Sequence, residues 1–226
     1  MCPATSKPLP SCFNLSTTPE AASNPKAYKN LNTEFELGSV GAGCGAQGGT
    51  MKGGLGSASF KLSNGITVGA LVAANPAGDA TDETGKHFWA APFEIDDEFG
   101  GFEAPRAGNY SKSFKRPELF PLEDRANTTI GIVATDAALT KAQVLRLATS
   151  AHDGIARAIV PSHLPYDGDL IFASSTNELP LRDETYDLAE ICHAASLCMA
   201  RAIARGFYNA KNLPGDPMPT FKNFNG

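Results

Sequence analysis

The stretch "NTTIGIVATDAALTKAQVLRLATSAHDGIARAIV", Asn127 to Val160, with "DGDLIFASS", Asp167 to Ser175, just after it, decides the fold. It opens on the polar triplet Asn127-Thr128-Thr129 and passes directly into "TIGIVAT", an apolar run that reads as a buried strand. Thr140 then caps a helix on which Val144, Ala148, Ala151, Ile155 and Ile159 recur at helical spacing, and Pro161 stops it. "DLIFASS" reads as a second buried strand. Leu188, Ile191, Ala195, Cys198, Ala202 and Ile203 mark one face of a second amphipathic helix. Strand, helix, strand, helix over residues 128–208 predicts a sheet covered by helices.

Upstream, "SASFKL" and "ITVGALVAAN" flank Ser63-Asn64-Gly65, an Asn-Gly turn between apolar runs, and so predict a β-hairpin that ends at Asn75-Pro76. Antiparallel pairing therefore accompanies the helix-linked strands, and the fold class is α/β of the mixed, α+β kind. Between Gly38 and Gly56 the chain reads "GSVGAGCGAQGGTMKGGLG", too rich in glycine for a regular helix, which implies tight turns or backbone packed closely against something. Residues 77–127 are dense in turn formers and charges and are expected to be solvated and mobile. Residues 1–30, rich in Pro, Ser, Thr and Asn, read as an irregular arm, leaving residues 31–226 as a single domain.

Composition narrows the function classes. A 226-residue chain with 42% hydrophobic and 19% charged residues is ordinary for a globular protein, and a net charge of -5 without a dense basic run disfavours nucleic acid or an anionic membrane as partner. No stretch approaches the ~20 apolar residues of a membrane span, and the first residues have no signal-peptide pattern, so a cytoplasmic location is expected. Five scattered cysteines with no C-x-x-C pair read as free thiols; Cys192 and Cys198, on the second helix, read as small buried hydrophobes or, alternatively, as a catalytic thiol.

Several local patterns invite chemistry. Gly43-Cys44-Gly45-Ala46-Gln47-Gly48 satisfies the dinucleotide fingerprint but lacks the flanking strand, helix and acid, and Met51-Lys52-Gly53 fails the Walker A requirement. Asn14-Leu15-Ser16, Asn109-Tyr110-Ser111 and Asn127-Thr128-Thr129 are glycosylation sequons, which have no use without a secretory route. His87, His152, His163 and His193 invite a Ser-His-Asp triad, particularly His152-Asp153, but helix neighbours point about 100° apart. Asp167-Gly168-Asp169 sets two carboxylates two residues apart, which an extended backbone projects to one side; a solvated turn is the plainer reading.

Taken together, "NTTIGIVATDAALTKAQVLRLATSAHDGIARAIVPSH", "DGDLIFA", "GSVGAGCGAQGGTMKGGLGSASF", "VAANPAGD" and "APFEIDDEFGG" resemble the P1, or S58, DmpA-type peptidases over about residues 36–205. That family includes aminopeptidase/amidases, β-peptidyl aminopeptidases and nylon-oligomer hydrolases. The resemblance implies a four-layer αββα sandwich related to ornithine acetyltransferases, and self-cleavage between Asn127 and Thr128 that leaves Thr128 as the amino-terminal nucleophile. It also implies that Asn75 holds the oxyanion, that Lys52 lies near the nucleophile, and that Asp167 and Asp169 hydrogen-bond around it, as in nylon-oligomer hydrolases. A freed α-amine is chemically suited to deprotonate a Thr hydroxyl, since its reference pKa of about 7.7–8.0 lies close to working pH.

The implied activity is hydrolysis of amide bonds in small peptides, aminoacyl amides or ω-amino-acid oligomers by a homo-oligomer needing no cofactor and no metal. One departure stands out: family members carry a long portion, with a site Tyr, ahead of the glycine loop, where about 38 residues stand here. An incomplete first sheet is therefore expected. A shortened paralogue acting as a binding or assembly module, or an acyltransferase of related fold, remain the alternatives.

Overall fold

The computed structural model describes residues 33–106, 108, 127–213, 215–216 and 218–224. The expected arm at residues 1–30 and the sequons at Asn14 and Asn109 lie outside them. Four strands, β1 (Gly54–Lys61), β2 (Thr67–Ala74), β3 (Ile130–Ala137) and β4 (Leu170–Leu179), form one sheet in the order β1-β2-β3-β4. β1 and β2 are the predicted antiparallel hairpin, in register from Gly54↔Ala74 to Lys61↔Thr67, and Gly65 at its turn has φ 94°, which glycine adopts without strain. β2 pairs antiparallel with β3, and β3 pairs parallel with β4, as a strand-helix-strand crossover requires.

That crossover is α1 (Lys141–Ala158). Thr140 caps it in a full capping box with Gln143, each side chain bonding the other's backbone N–H. The second helix, α2 (Glu184–Tyr208), is capped by Asp183, whose carboxylate accepts the Thr185 and Tyr186 amides. α1 and α2 pack against each other and on the same face of the sheet, α2 over β1 and β2 and α1 over β4. Their buried side chains, Leu147, Ala151, Ile155, Ile191, Cys198, Met199 and Ile203, meet Ala58, Val68, Ala70, Val72 and Val133 of the sheet in one continuous core.

The other face of the sheet carries Leu55, Leu71 and Ala134, buried beneath Phe35 and Val40, and then Ile130 and Phe172, which are 48% and 61% exposed. The described residues thus supply one helix layer and one sheet of the expected αββα sandwich. Among them no helix is long and apolar enough to cross a membrane.

Residues 77–106 depart from expectation. They hold little regular structure beyond a 3-10 turn at Ala91–Phe93, yet Phe88, Ala90 and Phe99 are fully buried and belong to the core. Glu98 forms a bidentate pair with the buried Arg201 of α2, which also donates to Ser59 O at 2.9 Å. Two aromatic anchors and a buried ion pair hold this loop down, so its charge and turn content does not make it solvated. Cys198 is wholly buried and burial pushes its thiol up to about 12, which makes it a hydrophobe and not a nucleophile.

Candidate active site

β3 and β4 continue toward their N-terminal ends beyond the regular ladder. Asn127 bridges Asp167 in parallel pairing, Gly168 N–H donates to Asn127 O at 3.0 Å, and Leu170 N–H donates to Thr129 O at 3.0 Å. Thr128 sits in this extension, and its amide donates to Asn75 O, just past the end of β2, at 2.9 Å. Three segments remote in sequence, residues 75–77, 127–129 and 167–169, thereby meet at one corner of the sheet.

The Thr128 hydroxyl donates to Asn127 O at 2.5 Å, onto the carbonyl group of the very peptide that joins the two residues. That oxygen therefore receives two donors, Thr128 Oγ1 and the Gly168 amide. Space is tight: a Cβ on Gly168 would lie 2.8 Å from Thr128 Oγ1, so the loop can approach the hydroxyl only as glycine. Asn127 and Thr129 are buried, and Thr129 Oγ1 has no partner among the described residues.

Asp167 and Asp169 do share one side, as their spacing predicts, but they grip backbone and not the Thr128 hydroxyl. Asp167 Oδ2 accepts the Ala77 amide at 2.9 Å, and Asp169 Oδ1 accepts the Thr129 amide at 3.0 Å. The two carboxyl groups lie close enough to influence each other. Burial raises Asp167 from 3.8 to about 6, against the opposing Ala77 hydrogen bond and with further upward pressure from Asp169. Asp167 thus keeps its proton into mild acid.

The glycine loop closes over the same corner. Gln47 N–H donates to Asn75 Oδ1 at 2.9 Å, which fixes the orientation of the Asn75 amide at this corner. Lys52 bridges back to Gln47 and is 1% exposed, but its ammonium is engaged by Cys44 O at 2.9 Å and by Asp216 at 2.7 and 2.8 Å. Burial would raise the Asp216 carboxyl; the Lys52 hydrogen bond and charge, with the Leu213 amide, outweigh it and hold it below its ordinary value. Lys52 thus reaches the neighbourhood of Thr128 through Gln47 and Asn75, with its charge spent on the chain's end segment.

The sequence pattern missed two members of the site: Asp216, and His163, whose Nδ1 lies 2.9 Å from Asp169 Oδ2. Neither is near its partner by spacing that a helix or strand would repeat, and only the folded chain brings them there.

Comparison with known proteins gives the same corner a lineage. The chain is 35% identical over 215 residues to an uncharacterized aminopeptidase of Mycobacterium tuberculosis, covering 91% of this chain and 61% of that protein. It is 29% identical over 154 residues to the 6-aminohexanoate-oligomer endohydrolase of Paenarthrobacter ureafaciens, covering 66% of this chain and 42% of that protein. The fold matches a Pyrococcus horikoshii protein with TM-score 0.58 at 26% identity, over 83% of this chain and 49% of the other. It also matches a Burkholderia β-aminopeptidase with TM-score 0.60 at 22% identity, over 85% and 52%, a likeness of fold alone. The chain therefore spans about two-fifths to three-fifths of the length of the relatives it matches. The family model for peptidase family S58 matches residues 12–218, which take in the glycine loop, Asn75, Thr128 and the Asp pair, and the chain belongs to that family.

Proposed function

We propose that this chain is an autoprocessing amide hydrolase in which Thr128 is first the cleaving group and then the amino-terminal nucleophile. The observation that carries the reading is Thr128 Oγ1 at 2.5 Å from Asn127 O, with the Gly168 amide on the same oxygen. Oγ1 attacks the Asn127 carbonyl carbon, and its proton passes to the departing Thr128 nitrogen. The C–N bond breaks to leave an ester of Asn127 on Oγ1, and water hydrolyses that ester. During the attack the Gly168 N–H stands where negative charge develops, as an oxyanion donor must.

The products are a carboxylate at Asn127 and a free α-amine at Thr128. That amine then serves as the base for Oγ1 in turnover: the hydroxyl acylates on a substrate amide, the substrate's amine leaves with the proton, and water releases the acid. Asn75 N–H groups supply the oxyanion contact in this second cycle. Asp169 fixes the Thr129 peptide and Asp167 the Ala77 peptide, which keeps both walls of the corner in place. The relatives' names, aminopeptidase and 6-aminohexanoate-oligomer endohydrolase, support small peptides, aminoacyl amides and ω-amino-acid oligomers as substrates.

Mass spectrometry of the denatured protein tests the reading. The wild-type chain is expected to yield two pieces divided at Asn127–Thr128, and Thr128→Ala to stay whole; a wild-type chain still whole after long incubation overturns it. Hydrolysis of aminoacyl amides, β-peptides and 6-aminohexanoate oligomers by the cut protein then sorts the substrate classes. A second reading, a binding or assembly module without turnover, draws on the apolar sheet face bearing Ile130 and Phe172. Cleavage without any hydrolysis favours it.

A further inference from the structure

His163 stands at the site, yet the cleavage chemistry above makes no use of it. It lies in the turn between α1 and β4 with φ 54°, a left-handed conformation uncommon outside glycine and easiest for Asn and Asp. Its Nδ1 is 2.9 Å from Asp169 Oδ2; the Asp169 side chain is 2% exposed and the imidazole 37%. The other oxygen of Asp169 accepts the Thr129 amide. A line of contacts therefore runs from solvent through His163 and one buried carboxylate to the peptide that joins Thr128 to Thr129.

Two carboxyl groups in one buried pocket cannot both carry charge without a cation or donors to offset them. Around His163 the titratable groups are Asp169 and Asp167 leading into β4, Tyr166 beside them, and His152 with Asp153 on α1. The His152 ring packs 5.3 Å from that of His163. Burial first, and His163 second, lower the pKa of His152, against the opposing pull of Asp169 and Asp153. The contact at Oδ2 is one of proximity and lacks the alignment of a full hydrogen bond.

We propose that His163 is a positioning residue that keeps Asp169 anionic and turned onto the Thr129 amide, and so fixes the backbone beside Thr128. Its effect on rate rests on the Thr128 reading above; its link to the Thr129 amide does not.

The test follows the Thr129 amide by proton–nitrogen NMR across pH, in the full chain carrying Thr128→Ala. Asp169→Asn is expected to abolish the carboxyl titration that the amide feels. His163→Ala is expected to move its midpoint to higher pH, because the carboxylate loses its cation. His163→Asn, which keeps a donor and suits the left-handed backbone, should move it less. Loss of the ring alone would offset the signal at every pH and leave the midpoint in place. A midpoint unchanged in His163→Ala overturns the link; should that variant fail to fold, His163→Gln takes its place, and an unchanged midpoint there overturns the link equally. With Thr128 intact, His163→Ala should slow self-cleavage by roughly tenfold to a hundredfold, with much of the rate restored in His163→Asn. An unchanged rate overturns the positioning role. A wild-type chain that never cuts, but whose amide midpoint still answers to His163, removes the Thr128 reading and leaves the His163 link standing.

Discussion

Thr128 is set apart by where its hydroxyl is held, 2.5 Å from the carbonyl oxygen of the preceding residue, and by the carboxyl pair that pins the peptides on either side. That pair has a consequence for pH. Asp167 is raised by burial to about 6 in the folded chain, so the fold binds its proton more tightly than the unfolded chain does. Such a group contributes stability that is fully present below the ordinary carboxylate range and is lost as pH rises through about 6. Urea unfolding of wild type and Asp167→Asn should therefore converge toward pH 4, and the variant should gain on wild type between pH 4 and 6. The gain expected is roughly 1–2 kcal/mol, discounted because the carboxyl is partly exposed. A constant difference across that range would mean that Asp167 titrates normally. Thr128, Asn75, Lys52 and the Asp pair were legible as a motif because each sits in a long ordered stretch that resembles the family. His163 and Asp216 were not, because their partners are chosen by the fold, Lys52 and Asp216 lying 164 residues apart.

At the scale of elements, the glycine run explains itself where β1 meets α2. A Cβ on Gly56 would lie 1.8 Å from Ala202 O, and one on Gly54 would lie 2.5 Å from Gly206 O, so strand and helix touch backbone to backbone. Gly56→Ala must push the helix off the sheet at the core's edge and should cost about 1–3 kcal/mol or more in chemical denaturation. Gly45→Ala, with nothing within 4 Å, should change stability by less than about 0.5 kcal/mol. Equal effects at the two positions would refute the close-approach account. The hairpin and the strand-helix-strand alternation could be read in advance because period, capping and turn residues agree over each of them. Residues 77–106 could not, since their turn formers are local while Phe88, Phe99 and Glu98 find their partners across the molecule. Which face of the sheet the helices share is likewise a matter of packing that periodicity along one element does not express.

At the scale of the whole molecule, the proposed cut runs through the middle of a single sheet. β1 and β2 would belong to one piece and β3, β4 and both helices to the other, joined by the β2–β3 ladder from Val68↔Thr135 to Ala73↔Ile130 and by α2 lying on β1 and β2. That ladder and the shared core do not depend on the Asn127–Thr128 bond, so the cut protein should migrate as one species in native gel filtration and separate only in denaturant. Glu98 is a further tie, because it stands on the first piece and holds Arg201, 3% exposed, on the second. Glu98→Gln leaves that guanidinium buried without its counter-charge, at a cost of about 3–5 kcal/mol, and so should lower the urea concentration at which the two pieces part. Pieces that separate at the same urea concentration with and without the Glu98 carboxylate would show that the ladder and core alone hold them together.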